Sequence, residues 1–274
     1  MAESELEQPR QRNAEQGARL VICYAHRGAR GHAPENTVLA FDMAFDLGAE
    51  AIECDVQRTS DGQLVILHDG TVNRTTDGKG LVSALAFAQL RKLNAGRRWG
   101  LEQRVPTLDE TLQLVERRSR TINLEIKGEN EAEALATTEA VAPVLSQLEG
   151  PLRERLLVSS FELPAVRLLK QQLPWLRIAA LYSGREWKPR DMIDQAVAMG
   201  AEAIHPGVAL TTSELIREAH EAGLHVNVWT ANRLSTLNRL IGWGVDGLFS
   251  DYPERVIIAR DRAFASSQEA AASS

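Results

Sequence analysis

Short β-prone runs alternate with segments of helical spacing along almost the whole of this 274-residue chain. That rhythm admits few folds. The β-like runs are 20–25, 51–56, 122–126, 156–160, 178–182, 203–205, 225–229 and 247–250. Between them, helix-like segments fall at 36–47, 107–117, 131–148, 163–172, 190–199, 212–222 and 234–242. Parallel strands joined by right-handed helical crossovers close on themselves at about eight repeats, which predicts an α/β TIM (β/α)8 barrel in a single domain over 20–265. Two features exceed the repeat. Asp61-Gly62 is a hairpin signal that sends 63–67 back along the second strand. The stretch from about 70 to 104, rich in Gly, Arg, Asn and Thr, reads as a small insertion before the next helix. Polar stretches at 1–19 and 266–274 are expected to be flexible tails and are given no function.

Composition narrows the function classes. Lys plus Arg number 31 against 37 for Asp plus Glu, a net charge of −6. This argues against nucleic-acid partners or a broad anionic-membrane footprint, so any anionic substrate must be met by local positive charge. The N-terminal stretch carries acids and no apolar segment, unlike a signal or transit peptide. No apolar run approaches the ~20 residues of a membrane span, so no stable membrane insertion is expected, and the reading is a soluble, cytoplasmic protein. Cys23 and Cys54 lie in β-like runs without metal-type spacing and are read as buried, reduced thiols. Oligomeric state has no signature here.

The stretch 51–69, AIECDVQRTSDGQLVILHD, carries most of the chemistry. Glu53 and Asp55 are two apart, which puts both carboxylates on one face of a strand and turns Cys54 the other way. The hairpin then returns His68-Asp69 toward them. In a barrel of this kind the site forms at the C-terminal strand ends. There the sequence collects His26 and Arg27 after the first strand, Glu125 and Lys127 in NLEIK, Phe161 after SS, and Trp229. Buried charges are costly unless paired or ligated, so their convergence points to a site rather than to packing. Glu53, Asp55 and Glu125 offer oxygen ligands only, which suits one hard divalent cation, Mg²⁺ or Ca²⁺, and disfavours zinc. Arg27 can grip phosphate oxygens through its planar fork and Lys127 as a point charge. His26 and His68 could act as general base and general acid. The set fits hydrolysis of a phosphodiester.

On these residues the chain resembles the glycerophosphodiester phosphodiesterase family, in its short cytosolic bacterial form. The matching motifs are AHRGARGHAPENT (25–37), IECDV (52–56), HD (68–69), NRTTDGKG (73–80), PTLDE (106–110), NLEIK (123–127), SSF (159–161), VWTAN (228–232) and GVDGLFSD (244–251). They follow one another over nearly the whole chain. The resemblance implies a phospholipase-C-like barrel with metal ligands Glu53, Asp55 and Glu125. It also implies acid/base histidines His26 and His68, and phosphate contacts from Arg27 and Lys127. The substrate would be a small glycerophosphodiester, and the products sn-glycerol 3-phosphate and an alcohol. Either the glycerol 2-hydroxyl attacks first, through a cyclic phosphate, or water attacks directly. Phe161 and Trp229 either wall the glycerol pocket or are core aromatics. Gly28 and Gly31 serve a close approach to phosphate or a plain turn. Pro34 to Thr37 reads as a helix start, from which Glu35 could approach the site. His205 reads as structural, and His32, His220 and His225 have weaker claims. The competing activities are a lysophospholipase D on the same scaffold and a phosphodiester-binding protein without catalysis. The latter would lack a histidine or a carboxylate of the set, and none is lacking.

Overall fold

The computed structural model describes residues 21–272. Its strands are β1 (Ile22–His26), β2 (Ala51–Arg58), β3 (Leu64–Ile66), β4 (Thr121–Ile126), β5 (Leu156–Ser160), β6 (Arg177–Tyr182), β7 (Ala203–Pro206), β8 (His225–Val228) and β9 (Gly247–Ser250). Their order is β1-β9-β8-β7-β6-β5-β4-β2, and β1 also pairs with β2, so eight parallel strands close into a barrel. β3 is the extra strand, antiparallel on the far end of β2. It is delivered by the expected turn, in which Gly62 takes a φ of 84° and its N–H donates to the Thr59 carbonyl.

Period-two alternation decides what each strand contributes. Ile52, Cys54 and Val56 of β2 and Ile122, Leu124 and Ile126 of β4 belong to the large apolar cluster shared with the helices. Both cysteines lie in that cluster as buried free thiols. The intervening residues turn into the barrel. Low in the lumen they are small or apolar, with Tyr24, Ala51 and Phe249 in one cluster and Leu157, Ala179 and Ala203 in another. Toward the C-terminal end they become Asn123, Ser159 and His205, then Glu53, Asp55 and Glu125. A barrel whose inner face grows more polar toward one end places its chemistry there.

The insertion folds around an apolar cluster of its own, built from Val65, Leu67, Val72, Val82, Leu90, Ala95 and Val105. It is tied to the barrel at the helix Leu108–Arg117, where Arg91 makes two bonds of 2.5 and 2.7 Å to Glu110. Glu110 also completes a capping box with Thr107, which explains the PTLDE motif as a helix start rather than a substrate contact. The final helix, Pro253–Ala272, continues through 266–272, where the sequence reading has a tail. The tail at 1–19 lies outside the described residues. Among the described residues no helix is long and apolar enough to cross a membrane.

Candidate active site

Glu53, Asp55 and Glu125 come together as strand alternation and register require. Asp55 stands directly opposite Glu125 in the β2–β4 pairing, with Glu53 two residues back on the same face. Each offers an oxygen within 4.8 Å of the others, and all three are buried. The Arg27 backbone N–H donates to Glu53 Oε2 at 2.9 Å, and Asn36 Nδ2 donates to Asp55 Oδ2 at 2.7 Å. Lys127 Nζ donates to Glu125 Oε1 at 2.9 Å. Both Arg27 and Asn36 adopt left-handed backbone, with φ of 55° and 56°, a strained geometry that over-determined sites retain. Two oxygens remain buried without a hydrogen bond, Glu53 Oε1 and Asp55 Oδ1. Each such orphan costs about 1–3 kcal/mol, and a hard cation would satisfy both, so the donor set fits a metal.

The electrostatics agree. Burial, and then repulsion from Asp55 and Glu125, push the Glu53 carboxyl well above its usual range. Burial raises Glu125 to about 7, with Lys127 opposing and Asp55 reinforcing the rise. Burial acts the same way on Asp55, but Lys127, Arg27 and His68 together outweigh it and hold Asp55 low. Burial opposes the charge on Lys127, yet Glu125 and Asp55 keep its pKa raised.

Both histidines face this centre with one nitrogen committed elsewhere. His26 Nδ1 lies 2.7 Å from Asp251 Oδ1, and His68 Nδ1 lies 2.8 Å from Asp69 Oδ1. A carboxylate only accepts, so each Nδ1 carries a proton and each Nε2 is left for the cavity. Burial lowers the pKa of both rings against the pull of these carboxylates. His68 Nε2 is 3.4 Å from Lys127 Nζ. Phe161 and Trp229 line the same hollow as His26, Arg27 and Glu53. They pack edge to face at 5.3 Å, and the indole N–H donates to the His205 carbonyl. These two aromatics are therefore walls of the cavity and not core alone.

Asp251, Asn232, Arg74 and Glu35 matter more than their motifs disclosed. Asp251 is held by Asn232, whose Nδ2 donates to Oδ2 and whose Oδ1 accepts the Asp251 N–H, each at 2.8 Å. Asp69 is held by Arg74 at 2.6 and 2.9 Å. Arg74 also makes two 2.8 Å bonds to Glu35, which accepts from Arg27 at 2.9 Å and Arg30 at 3.1 Å. Arg30 Nη1 reaches Asp251 at 3.7 Å. A ladder of alternating charge thus runs from His68 through Asp69, Arg74, Glu35, Arg30 and Asp251 to His26. Burial of Glu35 is overcome by these arginines, which lower its pKa to about 2.

Gly28 and Gly31 serve packing. A Cβ on Gly28 would stand 2.6 Å from the Ala40 backbone, and one on Gly31 would stand 2.3 Å from the Tyr252 ring. His205 is fully buried, lowered to about 3 by burial, and lies 5.0 Å from the Phe249 ring. His220 and His225 pair with Asp246, and His32 with Glu254, away from this cavity.

A profile of the glycerophosphoryl diester phosphodiesterase family matches residues 26–255. The glycerophosphodiester phosphodiesterase of Caldanaerobacter subterraneus subsp. tengcongensis is 37% identical over 243 residues, covering 87% of this chain and 96% of that protein. The corresponding protein of Bacillus altitudinis is 34% identical over 245 residues, covering 87% and 97%. Among solved structures, an Oleispira antarctica phosphodiesterase in complex with the product sn-glycerol-3-phosphate aligns with a TM-score of 0.78 at 31% identity, covering 88% of this chain and 97% of that one. The matched span runs from His26, the end of β1, to beyond Asp251 and so takes in the rest of the barrel, the insertion and both histidines, and the chain belongs to the glycerophosphoryl diester phosphodiesterase family.

Proposed function

We propose that this enzyme hydrolyses glycerophosphodiesters to sn-glycerol 3-phosphate and an alcohol, with one Mg²⁺ or Ca²⁺ held by Glu53, Asp55 and Glu125. The observation that carries this reading is the pair of orphaned oxygens, Glu53 Oε1 and Asp55 Oδ1, beside two carboxylate-held histidines. A bound cation would polarise the phosphoryl group and offset its charge. Arg27 and Lys127 meet the non-bridging oxygens, and Phe161 and Trp229 wall the glycerol. His26 Nε2 takes the proton of the attacking hydroxyl, and His68, entering as the imidazolium whose Nδ1–H is held by Asp69, gives its Nε2 proton to the departing alkoxide. The product named for the Oleispira antarctica structure supports the same substrate class here.

The test is release of sn-glycerol 3-phosphate from a panel of glycerophosphodiesters before and after exhaustive chelation. Release that stops on chelation and returns with Mg²⁺ or Ca²⁺ is the expected result. A 2-deoxyglycerol diester separates the two attacks. Intramolecular attack by the 2-hydroxyl carries a large proximity advantage, so an analogue that binds without turnover supports the cyclic route, and turnover within about tenfold of the natural substrate supports water.

A further inference from the structure

The cavity at the metal cluster shares a wall with its neighbours. His68 lines it and also lines a small hollow of about 10 Å³ that includes Glu35, Thr75 and Ala95. Those three residues in turn border a larger cavity of about 180 Å³, roofed by the insertion. In the proposed mechanism the alcohol departs on the His68 side, which the larger cavity adjoins through Glu35, Thr75 and Ala95.

Its lining has a definite character. Arg30, Arg74 and Arg98 face it against one carboxylate, Glu35. Arg30 and Arg74 are answered by Glu35 together with Asp251 and Asp69, so the uncompensated positive charge of the lining is that of Arg98. Arg98 is exposed and makes no ion pair among the described residues. Trp99, 47% exposed, supplies an apolar wall beside it. Thr75 borders both hollows, with its hydroxyl oxygen buried away from them. An arginine without an ion-pair partner attracts an anion to this cavity and repels a cation.

We infer that this cavity receives the headgroup of the leaving alcohol and selects one bearing an anionic group, a carboxylate or a phosphate, over one bearing an ammonium. This rests on the activity proposed above. Arg98 sets the preference from outside the reacting centre, and Trp99 packs on the headgroup's carbon stem.

Three glycerol 3-phosphate diesters of similar size test it, with 3-hydroxypropanoate, 3-hydroxypropanamide and choline as leaving alcohols. For the wild type at low salt, kcat/KM is expected to be about fivefold or more higher for the carboxylate than for the amide, and lowest for choline, with the spread shrinking in salt. Arg98→Glu should reverse the order of carboxylate and choline and leave the amide within about twofold. Equal values for all three esters in the wild type, or an equal loss on all three in Arg98→Glu, overturns the headgroup assignment while leaving the activity intact. Failure to release glycerol 3-phosphate from any of them instead overturns the activity on which it rests.

Discussion

Two sets of carboxylates meet at this site and are satisfied in opposite ways. Glu53, Asp55 and Glu125 crowd inside the barrel mouth, two of their oxygens have no hydrogen bond, and burial pushes Glu53 and Glu125 up. Glu35, Asp69 and Asp251 sit at the rim, each gripped by arginine, histidine or asparagine. All three are held below the usual carboxylate range. For Glu35 and Asp251 burial acts upward and is outweighed by their partners, whereas for Asp69 the Arg74 bond dominates. Burial alone therefore does not separate the two sets. The chain supplies counter-charge to one and leaves the other short, so the first is satisfied by the protein itself and the second could hold a cation.

Breaking the inner set should have the largest effect. Asp55→Asn removes the central carboxylate, and turnover is expected to fall by about 10³ or more, several kcal/mol of lost charge stabilisation. Isothermal titration with Mg²⁺ and Ca²⁺ should show the matching loss of cation binding. Full turnover in exhaustively chelated wild type would sink the contrast at once.

The histidines join the two sets and come next. His26→Ala and His68→Ala should each reduce turnover by about 10²–10⁴ with the cation still bound and the fold intact. An ester with a good leaving group should rescue His68→Ala more than His26→Ala. Near-wild-type turnover at saturating substrate in either variant removes its acid/base role.

The inner set was legible in the sequence, whereas of the outer set only the positions of Asp69 and Glu35 near the site were, and not their partners, for a physical reason. Glu53 with Asp55, and Glu125 with Lys127, are two apart in strands, and strand alternation alone fixes that they share a face. The β-strand runs were readable because apolar residues on the helix side interrupt the polar ones. By contrast, Asp251 reaches His26 across 225 positions and Arg74 reaches Glu35 across 39, and no local period encodes such pairs. Asn232, Arg74 and Asp251 all stood inside the quoted motifs, yet a motif marks a position without naming its partner. The last helix, Pro253–Ala272, was missed differently. Its alanines and serines read as tail composition, although alanine is the strongest helix former and Pro253 suits a first helical position.

Cutting the outer ladder at its middle sharpens the comparison with a smaller effect. Glu35→Gln keeps the shape but frees Arg30 and Arg74 to compete for Asp251 and Asp69. We expect kcat to fall about tenfold on a natural diester, the low end for groups that orient a site's ligands, with KM nearly unchanged. The deficit should narrow on an ester with a good leaving group, because the misplaced ring then matters less. An equal loss on both esters, together with a lower melting midpoint, would reduce the ladder to a stabilising brace.

The smallest effect concerns stability and reads the inner set without catalysis. Glu125 has a folded pKa of about 7 against an ordinary 4.5, so the metal-free folded protein holds a proton that the unfolded chain has already released. Between those values the folded state binds more protons, and its stability falls as pH rises. The two buried histidines work the other way below their ordinary value of 6.5, so wild type alone would show a blurred slope. Glu125→Gln isolates the carboxyl. In chelator, its melting midpoint should gain on the wild type by a few degrees between pH 5 and pH 8, at roughly 2–4 °C per kcal/mol for a chain of this size. Adding Mg²⁺ or Ca²⁺ at pH 8 should then stabilise the wild type and not the variant, because the cation replaces the proton that Glu125 has lost. A gap between the two proteins that stays constant with pH would mean that Lys127 alone already neutralises Glu125, and the inner set would then be as self-sufficient as the outer.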